Sequence, residues 1–236
     1  MHRYRLLLWL PLVALLGLLP STRPAFAGPK VVVTILPVHS LVSGIMQGAG
    51  APDLLIHGNQ SPHDFSLKPS DMLMLRRADL VIWVAPEIEA SLARLFKKGN
   101  FDGRFVALTR MDGLQGLPAR RGAEWNSGTT EHHHSQATDI DSHIWLSPKI
   151  ALHIVSQVTE LLCEMDEANA ALYRHNSRQL SERLKRLDTE LASILSPVKD
   201  LPYVVFHDAY HYFEQRYGLN VVGSVSISPE RQPGAR

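Results

Sequence analysis

The sequence predicts an α/β protein with two parallel-sheet lobes joined by one long helix. Short, continuous apolar runs such as residues 30–36 are typical of strands buried on both faces. Helical patterns alternate with these runs, which favours parallel strands with right-handed crossovers. One amphipathic stretch, over about residues 167–195, would be roughly 40 Å long at 1.5 Å per residue. That length predicts a strut between two lobes.

The first lobe is predicted over residues 28–148 and consists of alternating strands and helices. Ser70, directly after Pro69, is predicted to cap the second helix. Strands are predicted at 30–36, 53–57, 80–85 and 105–108, and helices at 38–46, 71–78 and 86–96.

Residues 149–200 contain the helix that follows Ser147 and Pro148 and then the long linking helix. A second lobe is predicted to begin within residues 201–236. It contains a short buried strand at 203–206, a helix at 209–217 and a strand at 220–225. Two strands and one helix do not make a self-sufficient layer, so we expect the second lobe to be incomplete in this chain.

The first 27 residues have the pattern of a secretory signal peptide. A basic start is followed by an apolar run at 6–19, and Ala25-Phe26-Ala27 forms an A-x-A cleavage site. The run of about 14 residues is shorter than the roughly 20 that a membrane-spanning helix needs. We therefore expect a cleaved signal over residues 1–27 and an exported protein.

Composition excludes several classes of function. The chain is 45% apolar and 20% charged with a formal net charge of +1, which is ordinary for a soluble globular protein. The sequence has no basic stripe of the kind that would indicate a nucleic-acid partner. There is no P-loop, no H-E-x-x-H and no G-x-S-x-G motif. The lone Cys163 cannot form an internal disulfide and is predicted to be a small packed side chain.

Three of the 12 histidines stand where ligands of an α/β protein are expected. His207 follows a predicted strand, and ligands gather outside the carboxyl ends of parallel strands. His63 and His143 lie in comparable segments. We predict that these three imidazoles surround one metal ion in the cleft between the lobes, with zinc as the ion that suits them best. A single loop histidine, however, is more commonly ordinary polar surface.

The neighbours of these histidines add further candidates. Asp64 and Asp208 directly follow two of them and could accept a ring N–H, which would hold the imidazole in one tautomer. His207 and His211 form a rival chelating pair at i, i+4, although we expect His211 to be an exposed helix residue.

Residues 110–142 form a long loop rich in glycine that interrupts the regular pattern. It contains His132, His133 and His134, which could form an auxiliary, weak metal site. An ordinary solvated loop is the equal alternative.

These residues resemble the periplasmic zinc-binding components of bacterial ABC uptake transporters. The matching runs are S-P-H-D-F-S-L-K-P-S-D at 61–71, A-D-L-V-I-W-V-A-P-E-I-E at 78–89, H-I-W-L-S-P at 143–148, F-H-D-A-Y at 206–210 and S-P-E-R-Q-P-G-A at 228–235. The resemblance implies a monomeric periplasmic carrier that is not an enzyme. It would bind Zn²⁺ through His63, His143 and His207 and dock on a membrane permease that is driven by an ATPase subunit.

Two features of the resemblance bear on the metal. Manganese-type relatives have a carboxylate where this chain has His207, which favours zinc. Some zinc members have a glutamate where this chain has Pro62, and others use a later acid, so the fourth ligand stays open.

Three alternatives remain. A secreted zinc hydrolase could also use three histidines and a water, with Asp64 or Asp208 as the general base. A manganese or iron carrier of the same family is the second alternative, and a surface adhesin is the third.

Overall fold

The computed structural model describes residues 28–58, 60–98, 103–120 and 140–226. The predicted signal peptide at 1–27 and the loop histidines His132, His133 and His134 lie outside the described residues.

A four-stranded parallel sheet forms the centre of the first half of the chain. The strand order is β2-β1-β3-β4 and every neighbouring pair is parallel. The central strands β1 and β3 are buried along their whole length, as expected for apolar runs covered on both faces. The strands are β1 (Val31–Val33), β2 (Asp53–Leu54), β3 (Leu80–Trp83) and β4 (Arg104–Ala107).

Five helices accompany this sheet within the described residues. The first three connect its successive strands, and the last two follow it in the chain. They are α1 (Leu36–Met46), α2 (Pro69–Arg77), α3 (Ala90–Lys98), α4 (Pro148–Met165) and α5 (Ala170–Leu195).

Two predicted helix starts were wrong. Helix α2 is capped by Lys68, because the Asp71 carboxylate accepts the Lys68 backbone N–H at 2.8 Å, and Ser70 lies inside the helix. Helix α3 begins at Ala90 rather than at residue 86. The intervening residues form a turn in which the Glu89 carboxylate accepts the backbone N–H groups of Val84 and Ala85 at 2.6 and 3.0 Å.

Helix α5 confirms the predicted long helix, with 26 residues. Its first half buries Ala170, Tyr173, Asn176 and Leu180. The Asn176 amide donates to the Ile45 and Gln47 carbonyls at the end of α1, at 2.9 and 2.8 Å. Leu187 and Ile194 in its second half are exposed. The helix is therefore anchored along the first sheet unit and extends past it.

A second, two-stranded parallel sheet follows α5. It pairs β5 (Tyr203–His207) with β6 (Val221–Ser226), and α6 (His211–Tyr217) connects the two strands. Gly218 ends α6 with a φ of 64°, the left-handed conformation that favours glycine at a helix end. The prediction of a buried strand at 203–206 was wrong for one face, because Val204 and Phe206 are 56% and 68% exposed.

Across the described ranges, none of the helices combines the length and apolarity that crossing a membrane requires.

Candidate metal centre

The structure brings His63, His143 and His207 together. Each offers one ring nitrogen, and these three atoms lie within 4.8 Å of one another. The ring centroids are 5.1 Å apart for His143 and His207, and 5.8 and 5.7 Å apart for the two pairs with His63. Side chains separated by up to 144 positions in the sequence thus meet at one point.

Each histidine is placed by a short local structure. His63 lies in a 3₁₀ turn, Pro62–Asp64, where the Ser61 hydroxyl accepts the His63 backbone N–H at 3.3 Å. His143 precedes the 3₁₀ turn Ile144–Leu146, whose Ile144 is fully buried and which leads directly into α4. His207 is the last residue of β5. Its position at a carboxyl strand end agrees with the predicted placement.

Asp141 determines the orientation of the His143 ring. Its Oδ1 atom accepts the His143 backbone N–H at 3.0 Å and lies 2.8 Å from His143 Nδ1. Both side chains are buried. A carboxylate can only accept here, so Nδ1 carries the proton and Nε2 presents its lone pair to the other histidines.

The distance between His143 and His207 is that expected of two ligands of one ion. Their Nε2 atoms lie 3.3 Å apart. Because His143 Nε2 is an acceptor, His207 Nε2 must either donate an N–H hydrogen bond to it or bind the same cation. Two nitrogens that bind one tetrahedral zinc at about 2.0–2.1 Å are themselves about 3.3 Å apart.

The two aspartates predicted to support the histidines have different surroundings. Asp208 contacts Arg120, whose Nη1 is 3.3 Å from its carboxylate, and Asp64 is exposed. Burial raises the pKa of Asp208, and the Arg120 charge opposes that shift. The carboxylate that supports His143 is Asp141, which the sequence prediction missed. The signal was its position two residues before a histidine, because aspartate commonly accepts the backbone N–H two residues on.

The prediction that His211 is an exposed helix residue was wrong. Only 17% of its side chain is exposed, and its Nδ1 lies 3.8 Å from Asp141 Oδ2. Burial lowers its pKa, while a hydrogen bond to the Pro118 carbonyl acts in the opposite direction. Among the described residues, the cluster with metal-ligand spacing contains His207 but not His211.

Three imidazole nitrogens this close together, on an α/β fold, are the arrangement expected of a metal-binding protein. The family model described as zinc-uptake complex component A, periplasmic (ZnuA), matches residues 31–236. The chain belongs to that family.

Individual relatives agree with this assignment. The chain is 35% identical to the high-affinity zinc uptake system protein ZnuA of Brucella abortus, over 87% of this chain and 70% of that protein. The protein of the same name from Yersinia pestis is 33% identical, over 97% of this chain and 76% of the relative.

Solved structures share the fold. A Zn(II)-bound AdcAII variant of Streptococcus pneumoniae superimposes with a TM-score of 0.71 at 21% identity. The superposition covers 88% of this chain and 73% of the AdcAII chain. The metal-dependent lipoprotein YcdH of Bacillus subtilis gives a TM-score of 0.67 at 25% identity, over 88% and 71% of the two chains.

Proposed function

We propose that this protein captures Zn²⁺ in the periplasm and delivers it to the membrane permease of an ABC transporter. The observation that carries the proposal is the cluster of three imidazole nitrogens within 4.8 Å. The names of the Brucella and Yersinia relatives, which are zinc uptake proteins, support the same function. The predicted signal peptide at 1–27 supports export to the periplasm.

The donor set favours zinc over other divalent ions. Imidazole suits zinc and other transition metals, whereas Mg²⁺ and Ca²⁺ require oxygen ligands. We propose His63, His143 and His207 as the ligands, with water or a carboxylate in the fourth tetrahedral position. A manganese or iron carrier is the nearest alternative. In a competition experiment, zinc should displace Mn²⁺ from the protein, and Mn²⁺ in excess should not displace zinc.

The surroundings of the cluster favour a carrier over a zinc hydrolase. A hydrolase needs a carboxylate or imidazole poised to take a proton from the metal-bound water. The Asp141 carboxylate is hydrogen-bonded to the His143 ring, and the Asp208 carboxylate forms an ion pair with Arg120. Asp64, the remaining candidate, is exposed. Reversible capture requires only neutral imidazoles, so protons should compete with zinc as the pH falls.

Growth of a zinc-limited bacterium tests the proposed function. A strain that lacks its own zinc-capture protein but keeps the permease and the ATPase should regain growth in chelated medium when it expresses the full chain. His63→Ala should fail to restore growth. His153→Ala is the control, because His153 lies outside the cluster and bonds the Asp112 carbonyl at 2.9 Å. Equal growth with His63→Ala and with the parent would contradict the proposal.

A further inference from the structure

Two segments that follow the four-stranded sheet in the chain pair with each other beside the metal centre. We call the part of the chain before β5 the first unit, and the part from β5 to β6 the second unit. Pro118 and Ile140 form an antiparallel bridge, and the Asp141 N–H donates to the Leu117 carbonyl at 2.8 Å. Gly116 permits this close approach, since a Cβ there would lie 2.2 Å from Ile140 Cγ2. We call residues 116–118 and 140–141 the neck. It contains Asp141, the carboxylate that orients His143.

Tyr212, in the first turn of α6, is buried against the neck. Its hydroxyl donates to the Asp141 carbonyl at 2.7 Å and accepts the Leu117 N–H at 3.0 Å. One hydroxyl group thus bonds both segments of the neck at the point where they pair. The helix that carries it belongs to the second sheet unit.

The residues on either side of Tyr212 contact the same region. The His211 ring lies beside the neck, with its Nδ1 3.8 Å from Asp141 Oδ2. The Glu214 carboxylate lies 2.6 Å from Arg120, which also contacts Asp208, the residue after His207. The Glu214 and Arg120 side chains are 2% and 16% exposed, so this ion pair is shielded from water. An ion pair of this kind constrains geometry more strongly than an exposed one.

The contacts between α6 and the neck connect the chain segments that carry two of the proposed ligands, His143 and His207. His143 follows the neck by two residues, and His207 precedes α6 by four. Within the described residues, β5 pairs with β6 alone, and α6 connects these two strands. The contacts of α6 with the neck therefore tie the strand that carries His207 to the segment that carries Asp141.

We propose that His211, Tyr212 and Glu214, which we call the clasp, are positioning residues for zinc. The clasp holds the second unit on the neck, so that His207 meets His143 while Asp141 keeps the His143 ring in place. The inference rests on the proposed zinc site and adds residues that do not touch the metal. It requires zinc affinity to depend on a hydroxyl group that is not a ligand.

Tyr212→Phe tests the clasp most cleanly because it removes one hydroxyl and keeps the buried ring. Loss of a group that supports a metal ligand typically costs about 10–100-fold in affinity, and we expect a fall of that size. The matched control is Tyr217→Phe. Tyr217 lies on the same helix and is buried, and its hydroxyl donates to Asp188 on α5 at 3.0 Å. The zinc affinity of the Tyr217→Phe variant should stay within about threefold of that of the parent.

Two further readouts separate positioning from simple stability. Urea unfolding of the metal-free proteins should show similar losses for the two tyrosine variants, while zinc affinity separates them. The visible spectrum of bound Co²⁺ should change in Tyr212→Phe and stay unchanged in Tyr217→Phe.

Arg120→Lys is an independent variant that keeps the charge and loses the forked geometry. It should weaken zinc binding in the same direction.

The outcomes are distinguishable. If the parent binds zinc tightly and both Tyr212→Phe and Arg120→Lys bind it equally well, the clasp is overturned and the proposed function stands. A parent chain that binds no zinc overturns both proposals.

Discussion

The two sheets of this protein differ in how completely they are covered. In the first sheet, the central strands β1 and β3 are buried on both faces. In the second, Val204 and Phe206 on β5 are more than half exposed. The proposed zinc site takes His63 and His143 from the well-packed side and His207 from the open side. Within the described residues, the proposed site therefore combines ligands beside a sheet whose central strands are buried on both faces with a ligand from a strand that has one exposed face.

Truncation of one strand side chain in each sheet should have very different effects on the free energy of unfolding. Ile82→Ala, in the fully buried β3, should lower the free energy of unfolding by about 2–5 kcal/mol, because it leaves a cavity in a packed core. Val204→Ala, on the exposed face of β5, should change it by no more than about 0.5 kcal/mol. Urea unfolding of both variants measures the difference. Equal losses would contradict the assignment of the main core to the first sheet.

Glu89 provides a pH-dependent test confined to the first unit. Burial raises the pKa of this carboxyl to about 7, from 4.5 for an ordinary glutamate. Its stabilising contribution is therefore complete below pH 4.5 and is lost as the pH rises through 7. The loss should be on the order of 3 kcal/mol.

Glu89→Gln removes this titration while keeping the shape of the side chain. The free energy of unfolding should fall between about pH 5 and pH 8 in the parent by more than it does in the variant. Parallel pH dependences in urea unfolding would show that Glu89 is not buried as described.

Asp141→Asn alters the carboxylate that orients the His143 ring. An asparagine can still accept the His143 backbone N–H, but it no longer favours the Nδ1–H tautomer through a charge. Zinc affinity should fall by about 10–100-fold, equivalent to about 1.4–2.7 kcal/mol. Competition with a chromophoric chelator measures it. Asp188→Asn, which alters a carboxylate that binds Arg216 and Tyr217, should leave zinc affinity within about threefold of the parent.

The smallest effect is expected from the loop histidines. Simultaneous replacement of His132, His133 and His134 by alanine should leave the affinity of the tight site within about threefold of the parent, because His63, His143 and His207 already offer three ring nitrogens within 4.8 Å of one another. A weak second zinc, if the parent binds one, should disappear. Isothermal titration separates the two sites, and loss of the tight site would contradict their auxiliary role.

Much of the fold was predictable because its signals are local. Continuous apolar runs marked β1 and β3, and the amphipathic period marked α5. The three histidines were predicted because strand ends and recognisable motifs carry them.

The rest depends on contacts between distant segments. Tyr212 lies 71 positions from Asp141, and no periodicity marks that hydrogen bond. His211 was expected at the surface because its neck partners, Pro118 and Asp141, are far away in the sequence. The exposed face of β5 was missed because a buried strand and a half-covered one have the same apolar residues.

We propose that His207, on the less covered sheet, completes a zinc site to which the first half of the chain contributes His63 and His143. A zinc titration against a chromophoric chelator tests it most directly, with the chain from Gly28, His207→Ala and His175→Ala compared. His175 is an exposed histidine on α5 that contacts Gln179. We expect one tight zinc in the parent and in His175→Ala, and a loss in His207→Ala larger than the roughly 10–100-fold cost of removing a contact that only supports a ligand. Parent-like affinity in His207→Ala would contradict it.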